Sequence, residues 1–287
     1  MTTTAQKPSE AHFEILTARP ERSNFAMAAT AFFAILRRDL MVAWRELIAS
    51  LVQLLLQPLF LLFIFGKILP SIGYVSANFG AVFLPGIVGL TVTLTALQGV
   101  TLPLVLDLGF GREIDDRLLA PMPVQLVAVE KILYAALRGL VGGAVIFPLA
   151  YWILGSNYQV RTDEIGTLIG IMVLTALASA SLGLTIGTLI QPEQIGLMFA
   201  VIFTPLIFLG CTYYPWGSLG GIKWFQIITL FNPLTYASEG MRYAMVPPVH
   251  GITLPTLGIG WVLLGLGTTF VVFFILGIVF FYRRVVN

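Results

Sequence analysis

The sequence predicts an all-α integral membrane protein with six transmembrane helices, and three observations predict it. Of its 287 residues 57% are hydrophobic and 10% are charged, with a mean hydropathy of +0.92. Soluble domains carry about 25% charged residues. The apolar residues gather in runs of about 20, the length of helix that crosses a bilayer core. The runs are continuous in Leu, Ile, Val, Phe and Gly rather than alternating as in a membrane barrel. Only helices and closed barrels satisfy every backbone group in lipid, so continuity selects helices.

Residues 1–24 are polar, with Lys7, Arg19, Arg22 and three Glu. They contain no long apolar core, show no signal peptide and read as a cytoplasmic tail. From Phe25 to Glu46, apolar Phe25, Met27, Phe32, Phe33, Leu36, Leu40 and Trp44 interleave with Arg37, Arg38, Asp39 and Arg45. This predicts an amphipathic helix in the membrane interface, with Arg snorkelling and Trp at headgroup level. An extension of the following span is the alternative.

The first span is predicted at 47–69. Gln53 and Gln57, four apart, share one helix face and prefer another helix to acyl chains. That face suits a subunit contact, a translocation wall or an intrachain contact. The second span, 79–106, carries Thr91, Thr93, Thr95, Gln98 and Thr101, a polar content that predicts burial against protein. A charged segment follows, Asp107 and then Arg112-Glu113-Ile114-Asp115-Asp116-Arg117-Leu118-Leu119-Ala120-Pro121-Met122-Pro123.

The third span is predicted at 124–155, with Glu130 and Lys131 at its membrane surface and Arg138 inside it. Arg138 either snorkels or pairs with Asp107 or Glu130. In the fourth span, 165–190, Thr175, Ser179, Gly183 and Gly187 recur every four residues, a small-residue face that lets helices approach closely. The fifth span is predicted at 195–214. Between Pro215 and Pro255 the apolar stretches are too short to span, and Gly, Pro and aromatics break them. Two short helices at or dipping into the interface are predicted there, the second starting at Asn232 as N-cap and Pro233 as first helical residue. The last span is predicted at 256–282, ended by Arg283-Arg284.

Lys and Arg set the orientation. One side holds Lys7, Arg19, Arg22, Arg37, Arg38, Arg45, Arg112, Arg117, Lys131, Arg283 and Arg284; the other holds Lys67, Arg161, Lys223 and Arg242. The positive-inside rule makes the first side, with both termini, cytoplasmic.

The absences bound the chemistry. No phosphate-binding loop, H-E-x-x-H pair, nucleophile elbow or Cys/His cluster is present, and a single cysteine, Cys211, excludes an intrachain disulfide. No catalytic, cofactor-binding or metal-ligating residue is therefore predicted, and no nucleic-acid partner. The nearly charge-free spans argue against an ion-coupled carrier. A transport-like architecture without an energy source points to a partner that grips the charged segment, the alternative being a solvated loop.

Two stretches carry a family resemblance. One is Arg112-Glu113 through Leu118-Leu119-Ala120-Pro121, similar to an R-E…E-x-L-L-A-S-P pattern, with Asp116 or Arg117 near the usual Glu and Pro121 in place of Ser. The other is Tyr213-Tyr214-Pro215, Trp224, then Asn232-Pro233-Leu234-Thr235-Tyr236 with Glu239 and Arg242. With these the chain resembles the membrane subunits of type-2 ABC transporters, the group of daunorubicin-resistance, nodulation-factor and polysaccharide-export permeases.

The resemblance implies a permease of an ATP-driven exporter in a bacterial inner membrane, moving an amphipathic drug, lipid or lipid-linked glycan. Its partners would be two copies of an ATP-binding subunit, which would carry ATP and Mg, a second permease copy in a homodimer, and membrane lipid. Arg37, Arg38, Arg112, Glu113, Asp115, Asp116 and Arg117 would face the ATPase. Tyr213, Tyr214, Pro215, Asn232, Pro233, Tyr236, Glu239 and Arg242 would form an external gate. Gln53, Gln57, Ser179, Gly183 and Gly187 are the expected helix-packing positions. An ion-coupled carrier and a non-transporting membrane scaffold are the alternative functions.

Overall fold

The structure is a computed structural model describing residues 24–45, 47–76, 79–111, 123–155, 158–247 and 256–286. Helix α1, Asn24–Arg45, is followed by α2, Leu47–Phe63, which continues through a π turn into Leu69–Ser71. The long helices are α3 (Phe79–Leu106), α4 (Val124–Leu154), α5 (Ile165–Leu189), α6 (Pro192–Leu209) and α9 (Ile259–Val286). Between α6 and α9 lie two shorter helices, α7 (Lys223–Thr229) and α8 (Pro233–Met245).

Among the described residues five helices, α3, α4, α5, α6 and α9, are long and apolar enough to cross a membrane, and a shorter apolar stretch covers Leu55–Ser71 of α2. The fifth predicted span is shorter than expected. It ends at Leu209 rather than Tyr214, because Gly210 turns the chain and Cys211 takes a left-handed φ of 50°. The last helix starts at Ile259, not Thr256, and runs through Arg283-Arg284 to Val286. The predicted tail, residues 1–24, falls outside the described residues except for its last.

Helix α3 is the centre of the bundle. Of its most apolar stretch 94% is buried, against 22% in α9 and 17% in α6, so α6 and α9 face outward. It packs on α4 and α5, and α5 packs in turn on α9. Gly183 of α5 lies against Leu97 of α3, and Gly187 against Thr101, so these two helices run parallel. A Cβ at Gly183 would collide with the Leu97 carbonyl, which is why the predicted small-residue face sits here. Ser179, one turn away, is buried on the same helix. Gln57 is exposed, so it is not an intrachain packing residue; the Gln53 side chain lies outside the described set.

Side-chain hydroxyls add cross-links. Thr101 Oγ1 donates to Gly183 O at 3.0 Å, and Thr185 Oγ1 to Phe273 O at 3.0 Å. Such bonds between membrane helices are worth about 0.6 kcal/mol each on average. Arg284 Nη1 donates to Thr188 O at 3.1 Å, satisfying a terminal carbonyl of α5.

In both α2 and α6 a π turn, Ile64–Ile68 and Phe199–Phe203, is followed at the second position by proline, Pro70 and Pro205. A helical proline clashes with the carbonyl four residues back. Widening the turn to i→i+5 bonding, seen in Leu69 N–H to Ile64 O and Thr204 N–H to Phe199 O, moves that carbonyl aside.

Candidate functional site

Helix α8 wedges into a groove formed by α3, α5 and α9 and is buried along most of its length. Its sequence explains its start. Asn232 has an extended backbone, its Oδ1 accepts from Leu234 N–H at 3.0 Å, and Pro233 occupies the first turn, where a missing N–H costs nothing. Asn232 Nδ2 donates to Leu206 O at 2.7 Å, so the same side chain fastens the helix start to the end of α6. Thr235 Oγ1 donates to Thr229 O at 2.6 Å, and Tyr236 Oη to Leu230 O at 2.8 Å. The N-P-L-T-Y run is thus a set of clamps on the turn between α7 and α8. Asn232→Ala is expected to cost about 1–2 kcal/mol, from the lost cap and the orphaned Leu206 carbonyl. A lower melting temperature of the detergent-solubilised chain would register it, and an unchanged one would contradict the clamp.

One turn further, Glu239 and Arg242 form an ion pair with Arg242 Nη1 2.7 Å from Glu239 Oε1, both side chains fully buried. Their i, i+3 spacing puts them on one helix face, and the structure gives each further partners. Glu239 Oε1 also accepts from Trp216 N–H at 2.9 Å, and Oε2 from Leu257 N–H at 3.0 Å. Arg242 Nη2 donates to Thr212 O at 2.7 Å, and Nε to Val82 O at 3.3 Å. Burial lowers the guanidinium pKa from its ordinary value, and the Glu239 charge opposes that shift. Arginine nonetheless stays charged in proteins. A desolvated charge pair is tolerated when further hydrogen bonds satisfy its lone pairs and protons, and here every nitrogen of Arg242 and both oxygens of Glu239 are bonded.

The pair therefore joins four chain segments: the start of α3, the turn after α6, the 3-10 turn Trp216–Gly221, and the lead into α9. Sequence reasoning missed Val82, Thr212 and Leu257, which contribute only backbone groups. It also missed Gly86, which faces the Thr212 carbonyl, and Gly89, which faces Ser238. The three-residue spacing of those glycines in the second span was the available signal.

Other predicted gate residues gather around this hub. Tyr213 is half-buried in an aromatic cluster, 5.9 Å from Phe83 and 6.1 Å from Phe65 between ring centres. Tyr214 Oη donates to Phe208 O at 3.1 Å, and Pro215 opens the turn that begins at Trp216. The Tyr236 ring packs against Gly265 of α9. The loop before α5 joins the same end of the bundle, since Arg161 N–H donates to Met245 O at 2.9 Å. In that loop Arg161 holds Asp163 at 2.7 Å, a hydrogen bond that keeps the Asp163 carboxyl below its ordinary pKa.

At the opposite end of α3, Asp107 pairs with Lys131 of α4 at 3.3 Å. Lys131, rather than Arg138, is thus its cation. Arg138 lies beside Tyr134, one turn before it on α4. Arg37 and Arg38 are exposed on α1. Arg112, Glu113, Asp115, Asp116 and Arg117 lie outside the described residues, in the segment that the Asp107–Lys131 pair flanks. Among the described residues no group of His, Cys, Asp and Glu is arranged to hold a metal.

A family model described as "ABC-2 type transporter" matches residues 30–246. Over 138 residues the chain is 27% identical to the Inner membrane transport permease YadH of Escherichia coli strain K12, and equally to those of Escherichia coli O157:H7 and Shigella flexneri. The aligned part is 48% of this chain and 52% of each relative, so the chain spans about half the length of the curated relatives it matches.

Proposed function

The chain belongs to the ABC-2 type transporter family, and on that premise we propose that it is the membrane-spanning subunit of an ATP-driven exporter. The family match across residues 30–246 carries this reading. It takes in most of α1, the charged segment after α3, and the α7–α8 hub together. The sequence holds no phosphate-binding loop, so the energy comes from a separate ATPase subunit, two copies of which serve a homodimer of this chain. The cargo is an amphipathic drug, lipid or lipid-linked glycan. The protein sits in the bacterial inner membrane with six spans, α2 being the first, and with both termini cytoplasmic.

In this arrangement Arg38 and the Arg112–Arg117 segment face the ATPase, Arg37, which the resemblance also places there, being given to lipid below, and the clamped α7–α8 turn forms the outer end of the route. Four segments tied to one buried ion pair give the outer end a rigid block.

The test is co-purification with the ATPase followed by reconstitution. Reversing charge together at Arg112, Asp115 and Asp116 is expected to weaken ATPase binding by at least ~30-fold, the cost of breaking charge-assisted contacts at an interface. The permease itself should still insert. Undiminished co-purification would remove these residues from the docking surface. A second reading, an ion-coupled carrier, draws support from the Asp107–Lys131 pair, which lies beside fully buried Glu130. Transport in vesicles holding this chain alone, driven by a proton gradient and indifferent to ATP, would select it.

A further inference from the structure

Helix α1 carries a surface that the exporter assignment leaves unused. A shallow groove of about 540 Å³ runs along it, lined by Phe33, Leu36, Arg37, Leu40, Met41, Trp44 and Arg45. These residues form two neighbouring rows at four-residue intervals. One row, Leu36, Leu40 and Trp44, is wholly apolar. The other alternates: Phe33, Arg37, Met41, Arg45. The two guanidiniums are eight residues apart, about 12 Å along the axis. Among the described residues no acid lines the groove. Asp39 projects to a different side of the helix, where Arg38 holds it at 3.2 Å. Among the described residues neither Arg37 nor Arg45 takes part in an ion pair.

We propose that this groove binds an acidic phospholipid, its phosphate held by Arg37 or Arg45 and its hydrocarbon laid over Leu36, Leu40 and Trp44. Charge complementarity argues for it: two guanidiniums, each a fork of donors matched to phosphate, stand in an apolar setting with no carboxylate among the described lining residues. The exposed bulk argues for lipid rather than a soluble partner. Phe33 is 66% and Trp44 77% exposed, and lipid covers such rings at all times, with Trp at headgroup depth. Arg37 and Arg38, adjacent in sequence, therefore serve different partners, since Arg38 is held by Asp39 and does not line the groove. Arg37 takes lipid, and Arg38 stays on the side left to the ATPase.

The test uses the full chain in nanodiscs of phosphatidylcholine carrying either brominated phosphatidylglycerol or brominated phosphatidylcholine. Trp44 quenching is read as the difference between the wild type and Trp44→Phe. An arginine at an acidic membrane surface is worth about fivefold in partitioning. The brominated acidic lipid is therefore expected to quench Trp44 at an at least ~10-fold lower mole fraction than the zwitterionic one. The preference should fall to within about twofold in Arg37→Gln/Arg45→Gln and persist in Arg38→Gln. All three substitutions are on exposed side chains, and the lipid is present in both leaflets, so the result does not depend on topology or transport. Equal quenching by the two lipids in the wild type would overturn the proposal. So would a preference that survives the double substitution, or Trp44 emission that responds to the ATPase subunit and to neither lipid.

Discussion

Arg242→Met is expected to destabilise the folded chain by about 3–5 kcal/mol, the range for removing one member of a buried ion pair. It strips Glu239 of its charge partner and leaves the Thr212 carbonyl without its donor in a site closed to water. The informative variant is the double replacement, Glu239→Leu/Arg242→Met. A buried pair that serves only itself can be exchanged for apolar residues at little cost. This pair also binds the N–H groups of Trp216 and Leu257. The double variant should therefore remain unstable, at about 1–3 kcal/mol for each orphaned group. Denaturant titration in micelles would compare the three proteins. Recovery of wild-type stability by the double variant would show that the pair pins nothing beyond itself.

Gly86→Ala is expected to be almost as damaging, although it adds one methyl group. A Cβ there would collide with the Thr212 carbonyl oxygen and lie 3.0 Å from Arg242 Nη2. The obstructing atoms are backbone and a guanidinium bonded through all three of its nitrogens, so neither yields without breaking the hub. Overpacking of this kind costs about 1–3 kcal/mol, against a gain in helix propensity of at most about 1 kcal/mol. Gly170→Ala in α5 is the control, because nothing lies within 4 Å of its Cβ position and only the propensity gain remains. Opposite signs for the two substitutions, read as shifts of the melting temperature, are the expected result. A neutral Gly86→Ala would mean that α3 and the turn after α6 are less closely joined than the structure has them.

Much of the fold was legible because the bilayer is a demanding solvent. A span needs about 20 apolar residues, so the starts at Phe79, Val124 and Ile165 follow from hydropathy alone. Local chemistry was equally readable. Asn232-Pro233 announced the start of α8, and the run Ser179, Gly183, Gly187 announced a close helix contact. The end of α6 was not legible, because Cys211 and Thr212 continue the apolar and small-residue pattern while the backbone has already turned. The role of Gln57 was not legible either, since a polar residue on a helix face shows a preference for a partner without saying whether it lies in the same chain.

The sequence by itself determined the membrane class, the spans of the central helices and the pairing of Glu239 with Arg242 on one face of α8. Those properties depend on neighbours a few residues apart, and on the solvent. Only the tertiary structure decided that the pair is a hub. Its partners Val82, Thr212, Trp216 and Leu257 lie 160, 30, 23 and 18 residues away, and each contributes a backbone group that every residue type offers except, for the N–H, proline. A backbone N–H or carbonyl leaves no trace in the amino-acid code; its position is set by helix packing, and there the close approach at Gly86 brings the start of α3 and the turn after α6 within reach of one guanidinium.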